Sequence, residues 1–182
     1  MKTALLMIDI QNDYFEGGTM TLTGSETASI NAALILERFR TNDMQVVHIQ
    51  HIATNPTATF FLPGTFGADI HKNVTPLAQE KVFIKQYPNS FTETGLHEFL
   101  QSNGVTDLVI CGMMTHMCVD ATTRAAKDAG YSCTVISDAC ATKELELNGI
   151  KVKAEQVQLS FLAALAYFYS SIVSANQYLK SV

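Results

Sequence analysis

A chain of 182 residues with 47% hydrophobic and 16% charged residues carries enough apolar material for one sizeable core and too much to stay disordered. Its net charge of -5, with no basic run, argues against nucleic acid and anionic membranes as partners. No GxGxxG or GxxxxGK[ST] pattern is present, so nothing supports a phosphate-loop nucleotide site, and no cofactor is expected.

Thr3 to Ile10 reads as a strand buried on both faces, with Asp9 at its carboxyl end. A loop rich in Gly and Thr, Gln11 to Thr23, leads to a helix from about Glu26 to Thr41. Gln45 to Gln50 is a second strand, and His51 to Ile70 a long irregular segment of the kind that often covers a site. Lys81 to Ile84 is a third strand with Lys85 at its end. A helix over Thr94 to Ser102 stops at Gly104. Thr106 to Cys111 is a fourth strand, followed by a turn and a helix from Met117 to Ala129 that holds Cys118 near its start. Ser132 to Ser137 is a fifth strand, and Asp138 to Gly149 is expected to be a polar connection, partly helical. A helix over Ile150 to Tyr169, a strand over Ser171 to Ser174 and a short helix close the chain. Gln156 to Leu179 has no charged residue, but its density of Gln, Ser and Asn speaks for a buried helix rather than a membrane span.

This alternation predicts one α/β domain over residues 1–182: a three-layer αβα Rossmann-like fold on a mostly parallel six-stranded sheet. Four cysteines are present: Cys111, Cys118, Cys133 and Cys140. None pairs as CxxC, and the N-terminus has no signal-peptide pattern, so a cytoplasmic protein with reduced thiols is expected.

In a parallel sheet the carboxyl ends of the strands share one edge, where Asp9, Lys85 and the Cys118 turn would converge. A thiol nucleophile needs a base, for which Asp9 is suited, and a cation, for which Lys85 is suited. A thiol in the first turn of a helix is further expected to lean toward thiolate. Backbone N–H groups of the Met113–Cys118 turn are placed to receive an oxyanion.

Five segments carry a resemblance: Leu6-Met-Ile-Asp-Ile-Gln-Asn-Asp-Tyr-Phe15, Pro63-Gly-Thr65 with Asp69-Ile70, Val82-Phe-Ile-Lys85 with Asn89-Ser-Phe91, Gly112-Met-Met-Thr-His-Met-Cys-Val119, and Gly130 to Ala139. In this order the chain resembles the isochorismatase-like cysteine hydrolases, over nearly its whole length. The resemblance implies a triad of Asp9, Lys85 and Cys118. It also implies a non-proline cis peptide at Met113–Met114 and an oxyanion hole from the Met114 and Cys118 amides. Gln11 and Phe15 would then line the pocket, with Tyr87, Phe91 and Thr115 beside them. It implies as well a homodimer or homotetramer acting on a small-molecule substrate. Nicotinamidases of this family hold a metal on an Asp-x-His pattern after strand two. Here that region reads Val47-His-Ile-Gln-His-Ile-Ala-Thr-Asn55, without the carboxylate, so no metal is expected. Cleavage of a small amide or carbamoyl C–N bond is the expected reaction. The alternatives are vinyl ether cleavage of isochorismate and a non-catalytic binding domain of the same fold.

Overall fold

A computed structural model of the chain describes residues 2–181. Six strands form one parallel sheet: β1 (Thr3–Ile8), β2 (Gln45–His51), β3 (Lys81–Lys85), β4 (Asp107–Met113), β5 (Ser132–Ala141) and β8 (Ser171–Val173). Their order is β3-β2-β1-β4-β5-β8. Side chains alternate across the pleat, so both faces must be covered. Leu5, Met7, Val46, Val109 and Cys111 face a core shared with α1 (Ser25–Thr41) and α5 (Ala175–Ser181). Leu6, Ile8, Val47, Leu108 and Ile110 face the opposite core. That core is closed by α2 (Leu96–Ser102), α3 (Asp120–Asp128) and α4 (Ala154–Phe168). The three-layer αβα architecture follows. Among the described residues no helix is long and apolar enough to cross a membrane.

The chain leaves β1 toward β2 and β3 on one side, then returns to place β4, β5 and β8 on the other. The order therefore reverses between β1 and β4, and a crevice opens there at the carboxyl ends. Ile8 pairs with Gly112 at that edge. Gly112 has φ 144°, and a Cβ there would lie 2.1 Å from the Ile8 carbonyl oxygen, so only glycine lets β4 approach so closely.

The segment after β2 folds back over this edge. His71 N–H donates to the Ile10 carbonyl at 2.8 Å and Asn12 N–H to the Asp69 carbonyl at 3.0 Å. The buried Asp13 carboxylate accepts from Phe61 N–H at 2.6 Å and Thr19 N–H at 3.2 Å.

Two stretches differ from the expectation. Asp138 to Gly149 holds no helix: β5 runs on to Ala141, losing register with β4 between Ile110 and Gly112. Ala139, Cys140 and Ala141 are buried, which a polar connection would not allow. A two-stranded antiparallel hairpin follows, β6 (Leu145–Leu147) and β7 (Ile150–Val152). Asn148 and Gly149 turn it, with φ 52° and 78°, the left-handed values that favour an Asn-Gly pair in a tight hairpin. Consequently α4 starts at Ala154 rather than Ile150.

Candidate active site

Asp9 follows the last residue of β1 and has φ 50°, a left-handed conformation that carboxamide and carboxylate residues tolerate better than most. Its N–H is tied to the Ile49 carbonyl of β2 at 3.1 Å, which fixes the bend. Lys85 ends β3, in register with His51 at the end of β2. Cys118 lies in a π-helical turn, Thr115–Val119, between β4 and α3. Such turns recur at functional sites, because the wider loop displaces a side chain from the regular helical row.

These three elements bring their side chains together. Lys85 Nζ stands 2.7 Å from Asp9 Oδ2 and 3.3 Å from Cys118 Sγ. All three residues are buried: Asp9 is 0% exposed, Lys85 1% and Cys118 6%. No other hydrogen-bond donor among the described residues reaches the Asp9 oxygens, so the ammonium and the thiol are what the carboxylate meets. The Met113–Met114 peptide at the end of β4 is cis.

Burial pushes the Cys118 thiol well above its ordinary pKa, and the neighbouring Asp9 charge pushes the same way; Lys85 offsets only part of this. The resting residue is therefore a thiol. The expected lean toward thiolate is overruled, because the cost of burying a second anion beside Asp9 exceeds what the ammonium returns. Burial acts to lower Lys85, but the adjacent Asp9, then Cys118, more than reverse it, so the ammonium stays charged.

Sequence reasoning misses the part of two residues here: His51 is weighed only as a metal ligand, and Tyr14 stands in a motif without a role of its own. His51 Nδ1 lies 3.1 Å from Lys85 Nζ, and one donor atom each from Asp9, His51 and Cys118 fall within 4.8 Å of one another. Its place at a strand end was the available signal, the same that singles out Asp9 and Lys85. Tyr14 is the second. Its hydroxyl is raised well above the usual value, chiefly by burial, with Cys118 and then Asp9 acting in the same direction. It sits edge-on to Phe61 at 4.7 Å.

The expected pocket residues are placed as follows. Gln11 is wholly buried and clamps the strand end: its Oε1 accepts from His51 N–H at 2.7 Å, and its Nε2 donates to the carbonyls of His51 and Ala68. Phe15 stacks on His71 at 3.6 Å and lines a hollow of 480 Å³ whose walls include none of the triad. Phe91 packs on Tyr131 on the α2 side of the sheet. Thr115 is fully buried and donates to the Ala141 carbonyl at 3.2 Å. Tyr87 gives its carbonyl to Lys85 Nζ at 3.1 Å. Its ring lines a 270 Å³ hollow with Lys85, Gln86 and Thr92. A second hollow of 160 Å³, lined by His51, Asn55, Phe60 and Gln86, adjoins the same side.

Asp9, His51 and Cys118 have the donor chemistry of a metal site, but the Lys85 ammonium already stands at 2.7, 3.1 and 3.3 Å from them. A metal ion would have to displace that cation, so the residues do not fit one.

The arrangement is that of a buried thiol and a carboxylate with a cation between them. Comparison with known proteins gives the family. The Isochorismatase domain model matches residues 3–156. The uncharacterized isochorismatase family protein YddQ of Bacillus subtilis is 49% identical over 99% of this chain and 100% of its own. The crystal structure of a candidate isochorismatase hydrolase from Oleispira antarctica superposes with a TM-score of 0.94 at 47% identity, covering 98% of this chain and 96% of that one. A streptothricin hydrolase of Streptomyces noursei is 33% identical over 78% of this chain and 50% of its own. With its parallel sheet and its Asp9, Lys85 and Cys118 cluster, this chain belongs to the isochorismatase family of hydrolases.

Proposed function

We propose that this hydrolase cleaves an amide or carbamoyl C–N bond of a small molecule through a thioester on Cys118. The observation that carries the reading is the convergence of the Cys118 thiol, the Asp9 carboxylate and the Lys85 ammonium, all buried, with Lys85 in reach of both partners. Asp9 takes the thiol proton as substrate binds, and the thiolate attacks the carbonyl carbon. The Met114 and Cys118 amides receive the oxyanion. Asp9 returns its proton to the departing amine or ammonia. Water, deprotonated by Asp9, then hydrolyses the thioester and frees the thiol. Lys85 remains protonated throughout and stabilises whichever of its neighbours carries the negative charge. The streptothricin hydrolase among the relatives supports hydrolytic chemistry on this fold.

The test separates this from vinyl ether cleavage, which protonates a substrate carbon and needs an acid but no nucleophile. A panel of small amides, ureido acids and isochorismate is screened for turnover. Cys118→Ala and Asp9→Asn are then compared on whatever is turned over. Both variants are expected to lose several orders of magnitude, since base and nucleophile act as a unit. Near wild-type turnover by Cys118→Ala with an inactive Asp9→Asn would replace the amidase reading with the vinyl ether one.

A further inference from the structure

An ammonium carries three hydrogens. Lys85 Nζ has four acceptors around it: Asp9 Oδ2 at 2.7 Å, His51 Nδ1 at 3.1 Å, the Tyr87 carbonyl at 3.1 Å and Cys118 Sγ at 3.3 Å. Two of the four are uncharged and held in place. The Tyr87 carbonyl belongs to the chain just after β3. His51 is gripped through its main chain, where Gln11 accepts from its N–H and donates to its carbonyl. His51 also pairs with Lys85 across the β2–β3 ladder. The other two, Asp9 and Cys118, are the groups that exchange a proton in the proposed reaction.

We propose that His51 is a positioning residue: its neutral imidazole takes one Lys85 hydrogen through Nδ1, leaving a single hydrogen for Asp9 and Cys118 to compete for. At rest the shorter contact gives that hydrogen to Asp9. When the proton passes from Sγ to the carboxylate, the negative charge passes to sulfur and the hydrogen swings to Cys118. Lys85 neither gains nor loses a proton, and the net charge of the site is unchanged. The tether makes stabilisation of base and nucleophile mutually exclusive, so neither anion is held at the other's expense for longer than its step.

His51 suits this task. Burial, then the Lys85 charge, lower its pKa, while Asp9 opposes them, so the ring is neutral and free to accept at Nδ1. The titratable groups that face it and Lys85 are Asp9 from the end of β1 and Cys118 from the π-helical turn; Tyr14, from the loop after β1, acts on Asp9 and Cys118 instead.

The inference rests on the triad reading, but its test needs no substrate. Alkylation of Cys118 by iodoacetamide, located by peptide mass mapping, is followed against pH in the intact protein. In His51→Leu the freed hydrogen goes to sulfur, and the alkylation midpoint is expected to fall by roughly one unit, the size of one hydrogen bond to a charged group. His51→Asn places an acceptor oxygen where Nδ1 stood and is expected to restore the wild-type midpoint. On any substrate found, His51→Leu should lower kcat roughly tenfold with less change in KM. If His51→Leu does not fold, His51→Met takes its place. An unchanged midpoint in a folded His51→Leu or His51→Met protein overturns the inference, and so does His51→Asn behaving like His51→Leu. Failure of the hydrolase reading shows itself elsewhere, as turnover surviving in Cys118→Ala.

Discussion

Replacing Lys85 by Met tests the buried ion pair on which the site is built. The substitution keeps an unbranched side chain of similar length and removes the charge. Both partners have fully buried side chains and stand 2.7 Å apart. Removing one leaves the Asp9 carboxylate without its counter-charge and without any backbone donor to replace it. Breaking a buried pair from one side costs about 3–5 kcal/mol. For a chain of this size that corresponds to a fall in Tm of roughly 6–20 °C, at about 2–4 °C per kcal/mol. The Tyr87 carbonyl and His51 Nδ1 also lose a donor, which places the effect toward the upper end. The double variant Asp9→Asn with Lys85→Met removes both charges and should recover most of the loss, because no uncompensated ion remains. Thermal and urea unfolding of the wild type, both single variants and the double variant give the coupling directly. A cost below about 1 kcal/mol for Lys85→Met, the range of an exposed pair, would refute the reasoning. So would a double variant no more stable than the weaker single one.

Two further outcomes are expected. Glu80 accepts from Arg40 Nε and Nη2, the Leu77 N–H and His48 Nε2. Burial alone would raise it, but Arg40, then Leu77 and His48, pull its pKa down to about 2. A depressed carboxylate stabilises the fold above its ordinary value of 4.5 and loses that contribution as pH falls from there toward about 2. The urea midpoint of the wild type should therefore decline over that window more steeply than that of Glu80→Gln, and parallel curves would count against the clasp. The second concerns assembly, for which we propose a homodimer or homotetramer. On α4 Leu159, Tyr167 and Phe168 are exposed to solvent, Tyr167 at 93%, and the β6–β7 hairpin exposes Leu147 and Ile150. Sedimentation should find an oligomer that Leu159→Glu combined with Tyr167→Glu converts to monomer, and a monomeric wild type at micromolar concentration would contradict it.

Much of this site was legible because apolar strands, β1 and β4 buried on both faces and β3 partly exposed at the sheet edge, leave polar residues conspicuous at their ends. Asp9, Lys85 and the Cys118 turn stand out against Leu5 to Ile8, Val82 to Ile84 and Leu108 to Cys111 for that reason. What was not legible depends on facts with no period. Tyr14 and Phe15 are adjacent aromatics in one motif. After the short turn Asn12–Tyr14, Tyr14 packs on Phe60 and Phe61 while Phe15 leaves to stack on His71. The hairpin had a signal, Asn148-Gly149 between Leu147 and Ile150, that the surrounding charged residues outweighed. The protonation state of Cys118 follows from burial next to Asp9, which helix position alone does not reveal.

That protonation state bears on how the fold serves chemistry. A free thiolate at rest would give a permanently reactive sulfur, and in this site burial and Asp9 prevent it. On the triad reading, the negative charge needed for attack is already present on Asp9, a single proton transfer from sulfur. Moving that proton shifts one charge between two atoms that both lie within 3.3 Å of the same ammonium. Little of the environment must reorganise, because the cation, the Tyr87 carbonyl and His51 are fixed by the strand ends before substrate arrives. The reversal of strand order between β1 and β4 is what makes this possible. It brings the residue after β1 beside the turn after β4 while Lys85 reaches across from β3, two strands away, beneath the end of β2. A long, unbranched side chain spans that distance with its charge at the tip, and the ends of β2 and β3 supply the two neutral acceptors that hold it there.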